Sequence, residues 1–329
     1  MKDLIKKLTE AFGPSGAEDS VREVIRKEVQ PYVDEIRVDA LGNLIAHKKG
    51  NGGKKVILDG HMDEIGLMVT HIDDNGFLRF GTIGGVNPYA SLAQRVVFGN
   101  GTVGVIGNER VDEPKDMRME KLFIDIGAAN KKEAEAKVRV GDSCAFLQPF
   151  VDMGDRVVAK AMDDRVACAC IIEALKGLKT SHDIYAVFST QEEVGLRGAR
   201  AAAFGIEPDL GIALDVTPTG DTPKGRNANV SLGKGAAIKA MDRSLICTPA
   251  LKNYMVKLAE EKGIKYQIEV LDMGGTDAGA IQMTKAGIPA GVISIPCRHV
   301  HSPCEMVDMN DYQDCVKLAK ALCESPLAF

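Results

Sequence analysis

The chain changes its hydrophobic rhythm twice. Near its start, residues 3–12 and 17–31 carry apolar side chains at helical spacing, broken at Gly13-Pro14-Ser15-Gly16. This predicts two helices with a turn between them. Asp34–Asp39 and Leu44–His47 read as short strands around Leu41-Gly42-Asn43, and Lys55–Asp59 as a strand running into Gly60-His61-Met62-Asp63-Glu64-Ile65-Gly66. From about Leu67 to Asp155 the runs become short and alternating. Phe77–Phe80, Arg95–Phe98, Thr102–Ile106, Leu122–Ile126 and Ser143–Phe146 are separated by Gly, Asn and Asp. Close-set short strands of that kind predict a small β-sandwich or barrel.

Beyond that stretch the longer rhythm returns. Ala159–Met162 leads through Asp163-Asp164-Arg165 into a helix over Val166–Leu178. The apolar run from Tyr185 to Ser189 reads as a buried strand that meets Gln191-Glu192-Glu193. Gly195 and Gly198 then make a tight turn into the alanine-rich helix Ala199–Phe204. Another buried strand follows at Asp209–Val216. Helices over 248–262, 276–286 and 310–323, with strands at Tyr266–Leu271 and Ala290–Ile295, complete the pattern. Strands alternating with helices predict an α/β fold, a mostly parallel sheet covered by helices, with an inserted small β domain. Residues 1–67 and 156–329 would form one discontinuous domain and 68–155 the insertion. No internal repeat is visible.

Composition narrows the classes. With 329 residues, 45% hydrophobic and 26% charged, the chain can bury a large core. A net charge of −5 without a basic run speaks against a nucleic-acid or membrane-surface partner. No run of 18 apolar residues occurs, and Met1-Lys-Asp-Leu-Ile-Lys-Lys reads as an amphipathic helix, not the core of an export signal. A cytoplasmic protein is expected. Its eight cysteines, Cys144, Cys168, Cys170, Cys247, Cys297, Cys304, Cys315 and Cys323, form no Cys-x-x-Cys pair. They are expected to be reduced and to serve as small buried hydrophobes.

The chemistry gathers just past the ends of apolar strands. His61, Asp163, Glu193, Asp215 and His301 form a mixed imidazole and carboxylate set, suited to zinc or a similar divalent ion. Five such residues can serve two ions if one carboxylate bridges and water fills the remainder, and a paired site of that kind activates water while polarising a carbonyl. Glu192, adjacent to a ligand but free, is the natural general base. Asp63, two positions after His61, can accept the proton on that histidine's other ring nitrogen. An isolated Glu-Glu is usually a solvated turn, and an isolated Asp-Asp a helix cap. Their joint occurrence at strand ends favours a site.

Gly60-His-Met-Asp-Glu-Ile-Gly66, Ala161-Met-Asp-Asp-Arg165, Gln191-Glu-Glu-Val-Gly-Leu-Arg-Gly198, Leu214-Asp-Val216 and His301-Ser-Pro303 resemble, in order, the signatures of the TET-type di-zinc aminopeptidases. That family includes glutamyl, leucyl, lysyl and deblocking enzymes, some of them labelled endoglucanases. The resemblance implies a zinc-exopeptidase-like fold and a metal-dependent aminopeptidase holding two divalent ions, zinc or cobalt. Asp163 would bridge, His61 and Asp215 would belong to separate or adjoining metals, and Glu193 and His301 would complete the shells. Glu192 would be the base, and Asp63 would support His61. It implies a cis peptide between Asp163 and Asp164. It also implies dimerisation through the insertion and a hollow dodecamer built from six dimers, acting on peptide substrates.

Two positions depart from the family pattern: His299, where an aromatic residue is frequent, and Gln282, where histidine is frequent. His299 and Asp277 are candidate substrate-binding residues, although Asp277 equally suits a helix N-terminus. Arg226, Arg243 and Arg298 could line a pocket for acidic side chains. His47, His71 and His182 read as structural. Two other activities compete with the aminopeptidase reading: deacylation of small N-acyl compounds on the same fold, and glycoside hydrolysis by a carboxylate pair. The second would leave the histidines and three carboxylates without a task.

Overall fold

A computed structural model describes residues 1–225 and 229–327; Arg226 lies outside the described residues. Its centre is an eleven-stranded mixed sheet. Four neighbouring strands at the middle run parallel, in the order Asp183–Ser189, Lys55–His61, Leu210–Pro218 and Ala290–Arg298. The margins are antiparallel. Glu35–Val38 and Leu44–Lys48 flank one side, while Glu305–Asp308, Arg156–Ala159 and Val151–Asp152 flank the other. Ala236–Met241 joins Ala290–Arg298 antiparallel and carries Tyr266–Val270 beside it.

The sheet alternation sorts each central strand between two cores. Val56 and Leu58 face the larger one, with Ile184, Ala186 and Phe188. There they meet Leu4, Ile5 and Leu8 of helix Lys2–Glu10, Val21 and Ile25 of Asp19–Val29, and the almost wholly buried helix Met162–Leu175. Ile57 and Val187 point to the opposite face, against Ala199, Ala202 and Ala203 of helix Arg197–Ile206 and Ile281 of Asp277–Gln282. Strands covered on both faces have no polar positions to spare, which is why these runs are continuously apolar.

The irregular middle stretch folds as expected into a small β domain, a closed barrel. Its strands are Gly66–Ile72, Leu78–Ile83, Arg95–Phe98, Val103–Asn108, Leu122–Asp125 and Ser143–Phe146. Leu67, Val69, Ile72, Leu78, Val96, Ile106, Ile124 and Phe146 fill its interior.

Four strands of the central sheet are missing from the sequence reading: Ala236–Met241, Glu305–Asp308, Arg156–Ala159 and Val151–Asp152. Each is short, and the first carries the buried Lys239 in the middle of its apolar run, which masks the strand signal. The cysteine expectation needs one correction. Seven are buried, but Cys304 is exposed, because it sits in the bend between His301 and strand Glu305–Asp308.

One buried cation ties the first helix to the centre of the molecule. The guanidinium of Arg165 donates to the carbonyls of Met62 at 3.1 Å, Leu8 at 3.0 Å and Gly13 at 3.2 Å, and also to that of Ala11. It pairs with Glu64 at 2.8 Å, and Glu64 also receives Lys160 at 2.7 Å. All three side chains are essentially shielded from solvent. Arg165→Met would leave Glu64 beside one cation and remove one donor from each of those carbonyls. Breaking a buried pair of this kind costs about 3–5 kcal/mol, so the variant should unfold at a clearly lower urea midpoint than the parent. An unchanged midpoint would show that the cluster does not hold the first helix in place.

Candidate active site

The four central parallel strands end on the same side of the sheet, and their ends carry the chemistry. His61 is the last residue of its strand and stands opposite Ser189. Asp215 lies on Leu210–Pro218, opposite Ser294. Glu192 and Glu193 follow strand Asp183–Ser189, and His301 follows Ala290–Arg298. Asp163 arrives from the turn between Arg156–Ala159 and the long buried helix. Asp163 and Asp164 have non-helical dihedrals, and the bond between them is the cis peptide that the family resemblance implies.

All five expected ligands converge. His61, Asp163 and Asp215 present ligand atoms within 4.8 Å of one another, as do Asp163, Glu193 and His301. Asp163 belongs to both groups: its Oδ1 is 3.1 Å from His61 Nε2 and its Oδ2 is 3.3 Å from His301 Nε2. Glu193 Oε2 also lies 3.3 Å from His301 Nε2. The donor set fits divalent ions. It combines three carboxylates and two imidazoles in two groups sharing one member, and Glu193 Oε1 is buried with no hydrogen-bond partner.

Glu192 stands beside this cluster, its Oε2 at 3.8 Å from His61 Nε2. Asp63 is fully buried and does more than face His61. Nδ1 of His61 lies 3.2 Å from the Asp63 carbonyl and 3.4 Å from its carboxylate. The Asp63 carboxylate itself accepts the backbone N–H of Glu192 at 3.0 Å and of Glu193 at 3.3 Å, and the hydroxyl of Ser15 at 2.6 Å. It therefore clamps the turn that carries both glutamates. The turn closes tightly because Gly198 donates to the Thr190 carbonyl at 3.0 Å, where a side chain would overlap Asn43 Oδ1.

Like charges crowd here and split the carboxyl groups. Burial pushes Glu192 well above the ordinary carboxylate range; His61 opposes this, and the charges of Asp277, Asp215 and Glu193 add to it. Burial and the charge of Asp163 likewise push Asp215 up. Asp163 goes the other way. Burial would raise it, but hydrogen bonds with His301 and His61 hold it well below the usual value. Burial would lower His301, yet Asp163 and Glu193 hold it at about 12, and His61 is raised by Glu192, Asp163 and Asp63 against its own burial.

The cluster opens into a cleft of about 630 Å³. Its far wall is apolar, with Val216, Leu271, Met273 and Val300. Lys239, which also lines it, is paired with Glu269 at 2.5 Å and Asp242 at 3.8 Å. The barrel reaches in as well. Gly85 lines the cleft, and a Cβ there would lie 2.5 Å from His301 Nδ1.

Other expected site residues lie elsewhere. Asp277 is buried, with Ser189 Oγ within hydrogen-bond distance of its carboxylate at 2.7 Å and of Asp59 at 3.0 Å. His299 is exposed with a left-handed backbone, and Gln282 donates to the Ile246 carbonyl at 3.0 Å. Arg298 is taken by Asp221 at 2.6 Å, and Arg243 is exposed. Two contributors escaped the sequence reading. Ser15 sits in the loop read only as a helix break, and Glu305 accepts backbone N–H groups from both Asp163 and His301. The one sequence signal for Glu305 is its position four residues beyond His301.

Comparison with known proteins bears on this geometry. A family model described as M42 glutamyl aminopeptidase matches residues 42–318. A putative aminopeptidase of Acetivibrio thermocellus is 50% identical over 326 residues, 98% of each chain. Among solved structures, an aminopeptidase of the archaeon Desulfurococcus kamchatkensis superposes with a TM-score of 0.94 at 41% identity, over 98% of this chain and 94% of that one. The TET1 peptidase of Pyrococcus horikoshii, which can assemble into a tetrahedron or a large octahedral shell, superposes with a TM-score of 0.90 at 35% identity, over 98% of this chain and 99% of that one.

Proposed function

The chain belongs to the M42 glutamyl aminopeptidase family and is a peptide hydrolase of the aminopeptidase class, and from that premise we propose that it removes N-terminal residues at a two-ion centre with Glu192 as general base. The observation that carries this reading is the sharing of Asp163 between two ligand groups. Asp163 would bridge, His61 and Asp215 would complete one site, and Glu193 and His301 the other. Divalent ions, zinc or cobalt, would lower the pKa of water and polarise the scissile carbonyl.

The remaining steps belong to the protein. Glu192, whose carboxylate is made more basic by burial and carboxylate neighbours, would in its ionised form take a proton from the attacking water on Oε2 and return it to the leaving amine. Asp63 would hold the Glu192-Glu193 backbone so that adjacent side chains keep different tasks. Substrate would lie in the cleft, its first side chain against Val216, Leu271, Met273 and Val300. Lys239 is neutralised by Glu269 and Asp242, and Arg298 by Asp221. Among the described residues this wall therefore favours an apolar side chain over an acidic one.

The barrel is the proposed self-association surface, in dimers that build a dodecamer. Its exposed Met68, Val103 and Val105 support that role.

Three measurements test these statements. Glu192→Gln should lose activity by at least about a hundredfold, with metal content by elemental analysis unchanged; loss of metal would mean that Glu192 is a ligand. Incubation with paired free and N-acetylated peptides, followed by mass spectrometry, should show ladders from free N-termini only. Leu and Met should be released faster than Glu, and a chelator should stop the reaction until zinc or cobalt is restored. Cleavage of the acetylated set would instead indicate a deacylase. Light scattering on the purified chain should give the mass of a dodecamer, and a stable monomer would dismiss the assembly.

A further inference from the structure

The two ligand groups share Asp163, so their geometry depends on how the Asp163 turn is held against the segments around it. Asp163 and His301 come from distant parts of the chain, and neither sits on a regular element. Asp163 follows a left-handed residue, Ala161 at φ 54°, and His301 is itself left-handed at φ 60°. A non-glycine residue in that region costs about 1–2 kcal/mol and needs support from its surroundings. Backbone N–H groups at such irregular, buried points have no ladder to join and must find another acceptor.

Glu305 supplies that acceptor for both. It opens strand Glu305–Asp308, opposite Ala159 of the neighbouring strand, and only 1% of its surface is accessible. One oxygen, Oε2, accepts the N–H of Asp163 at 2.9 Å, while the other, Oε1, accepts the N–H of His301 at 2.8 Å. A carboxylate is the side chain that offers two equivalent acceptors on one rigid plane. An amide offers one oxygen and would turn its NH₂ toward the other N–H.

We propose that Glu305 is a positioning residue for the metal centre: it straps the Asp163 turn to the His301 turn and thereby sets the Asp163–Glu193–His301 group. This rests on the two-ion reading above. Glu305 touches neither the reacting atoms nor the ligand atoms of the cluster, and acts through the backbone of two ligands. Its effect should be uneven. Two of the three members of the Asp163–Glu193–His301 group hang on the strap, against one of three in the His61–Asp163–Asp215 group, whose other members are fixed by regular strands.

The test is titration of the chelator-stripped full chain with cobalt(II), followed by calorimetry and by the visible absorption of the bound ion. The parent should bind two ions per chain. Glu305→Gln should bind one ion nearly as before and the other about 10–100-fold more weakly, with an altered cobalt spectrum for that ion. Glu305→Asp provides a second variant if the amide does not fold. It keeps the charge but is shorter by about 1.5 Å, so it can serve only one turn and should show the same uneven loss.

Two tight, unchanged cobalt sites in a folded variant would overturn the strap. Equal weakening of both sites together with a lower melting temperature would also overturn it, because that pattern marks a general packing role. A parent chain that binds fewer than two ions would instead sink the two-ion reading itself, and the variants would not be needed to see it.

Discussion

Everything in this molecule answers to one electrostatic constraint: several carboxylates are held where the carboxyl ends of neighbouring strands meet. Asp163, Glu192, Glu193 and Asp215 occupy one cluster, with Asp63 beneath it, and His61 and His301 stand among them. Like charges at such distances cannot all ionise in a buried setting without a cation. The group divides accordingly, Asp163 held low between two imidazoles while Glu192 and Asp215 are pushed up. The parallel sheet makes the crowding unavoidable, because it sends four strand ends to one edge. The two candidate ligand groups are where bound cations would relieve that crowding.

Holding that cluster open takes rigid support below it, and the support is itself charged. Arg165, Glu64 and Lys160 form a buried cluster directly behind the His61–Asp63 segment. Buried ion pairs are weak evidence for stability, since apolar replacements of similar shape often do as well. Here the value lies in direction. The guanidinium reaches four carbonyls from two distant chain segments, residues 8–13 and Met62, which an apolar side chain could not orient. Asp63 works in the same manner from above, fixing backbone donors where it could have met only a ligand histidine. Position in this site is therefore set largely through the main chain.

That explains which parts were legible in the sequence. Several candidate site residues announce themselves locally: an apolar run rich in strand formers, then His61, the candidate base Glu192 with its neighbour Glu193, or Asp215. The strands read at Lys55–Asp59 and Tyr185–Ser189 were legible for the same reason. Ser15 and Glu305 were not, because they act by hydrogen bonds to the main chain or to residues far away, and no spacing rule encodes such partners. Strand Ala236–Met241 was hidden by Lys239, whose buried charge makes sense only once Glu269 is seen beside it. Asp277, read both as a substrate-binding candidate and as a helix N-terminal residue, opens helix Asp277–Gln282 and is buried against Ser189, outside the lining of the cleft. Single-residue logic finds donors that face a site; it does not find what those donors lean on.

The inserted barrel belongs in the same account. It leaves the sheet almost immediately after His61, beginning its first strand at Gly66, and the chain returns only a few residues before Asp163. Two candidate ligands thus sit at the root of the insertion, not far from it along the chain. The contact is also direct in space, since Gly85 approaches His301 so closely that a methyl group would displace the imidazole. An insertion tolerated only as a surface ornament would be attached at an exposed loop tip. This one is attached at the functional edge and contributes Gly85 to the lining of the cleft. The barrel and the histidine–carboxylate cluster therefore share one set of constraints, and substitutions at the Gly84-Gly85 turn belong with substitutions of the candidate ligands themselves.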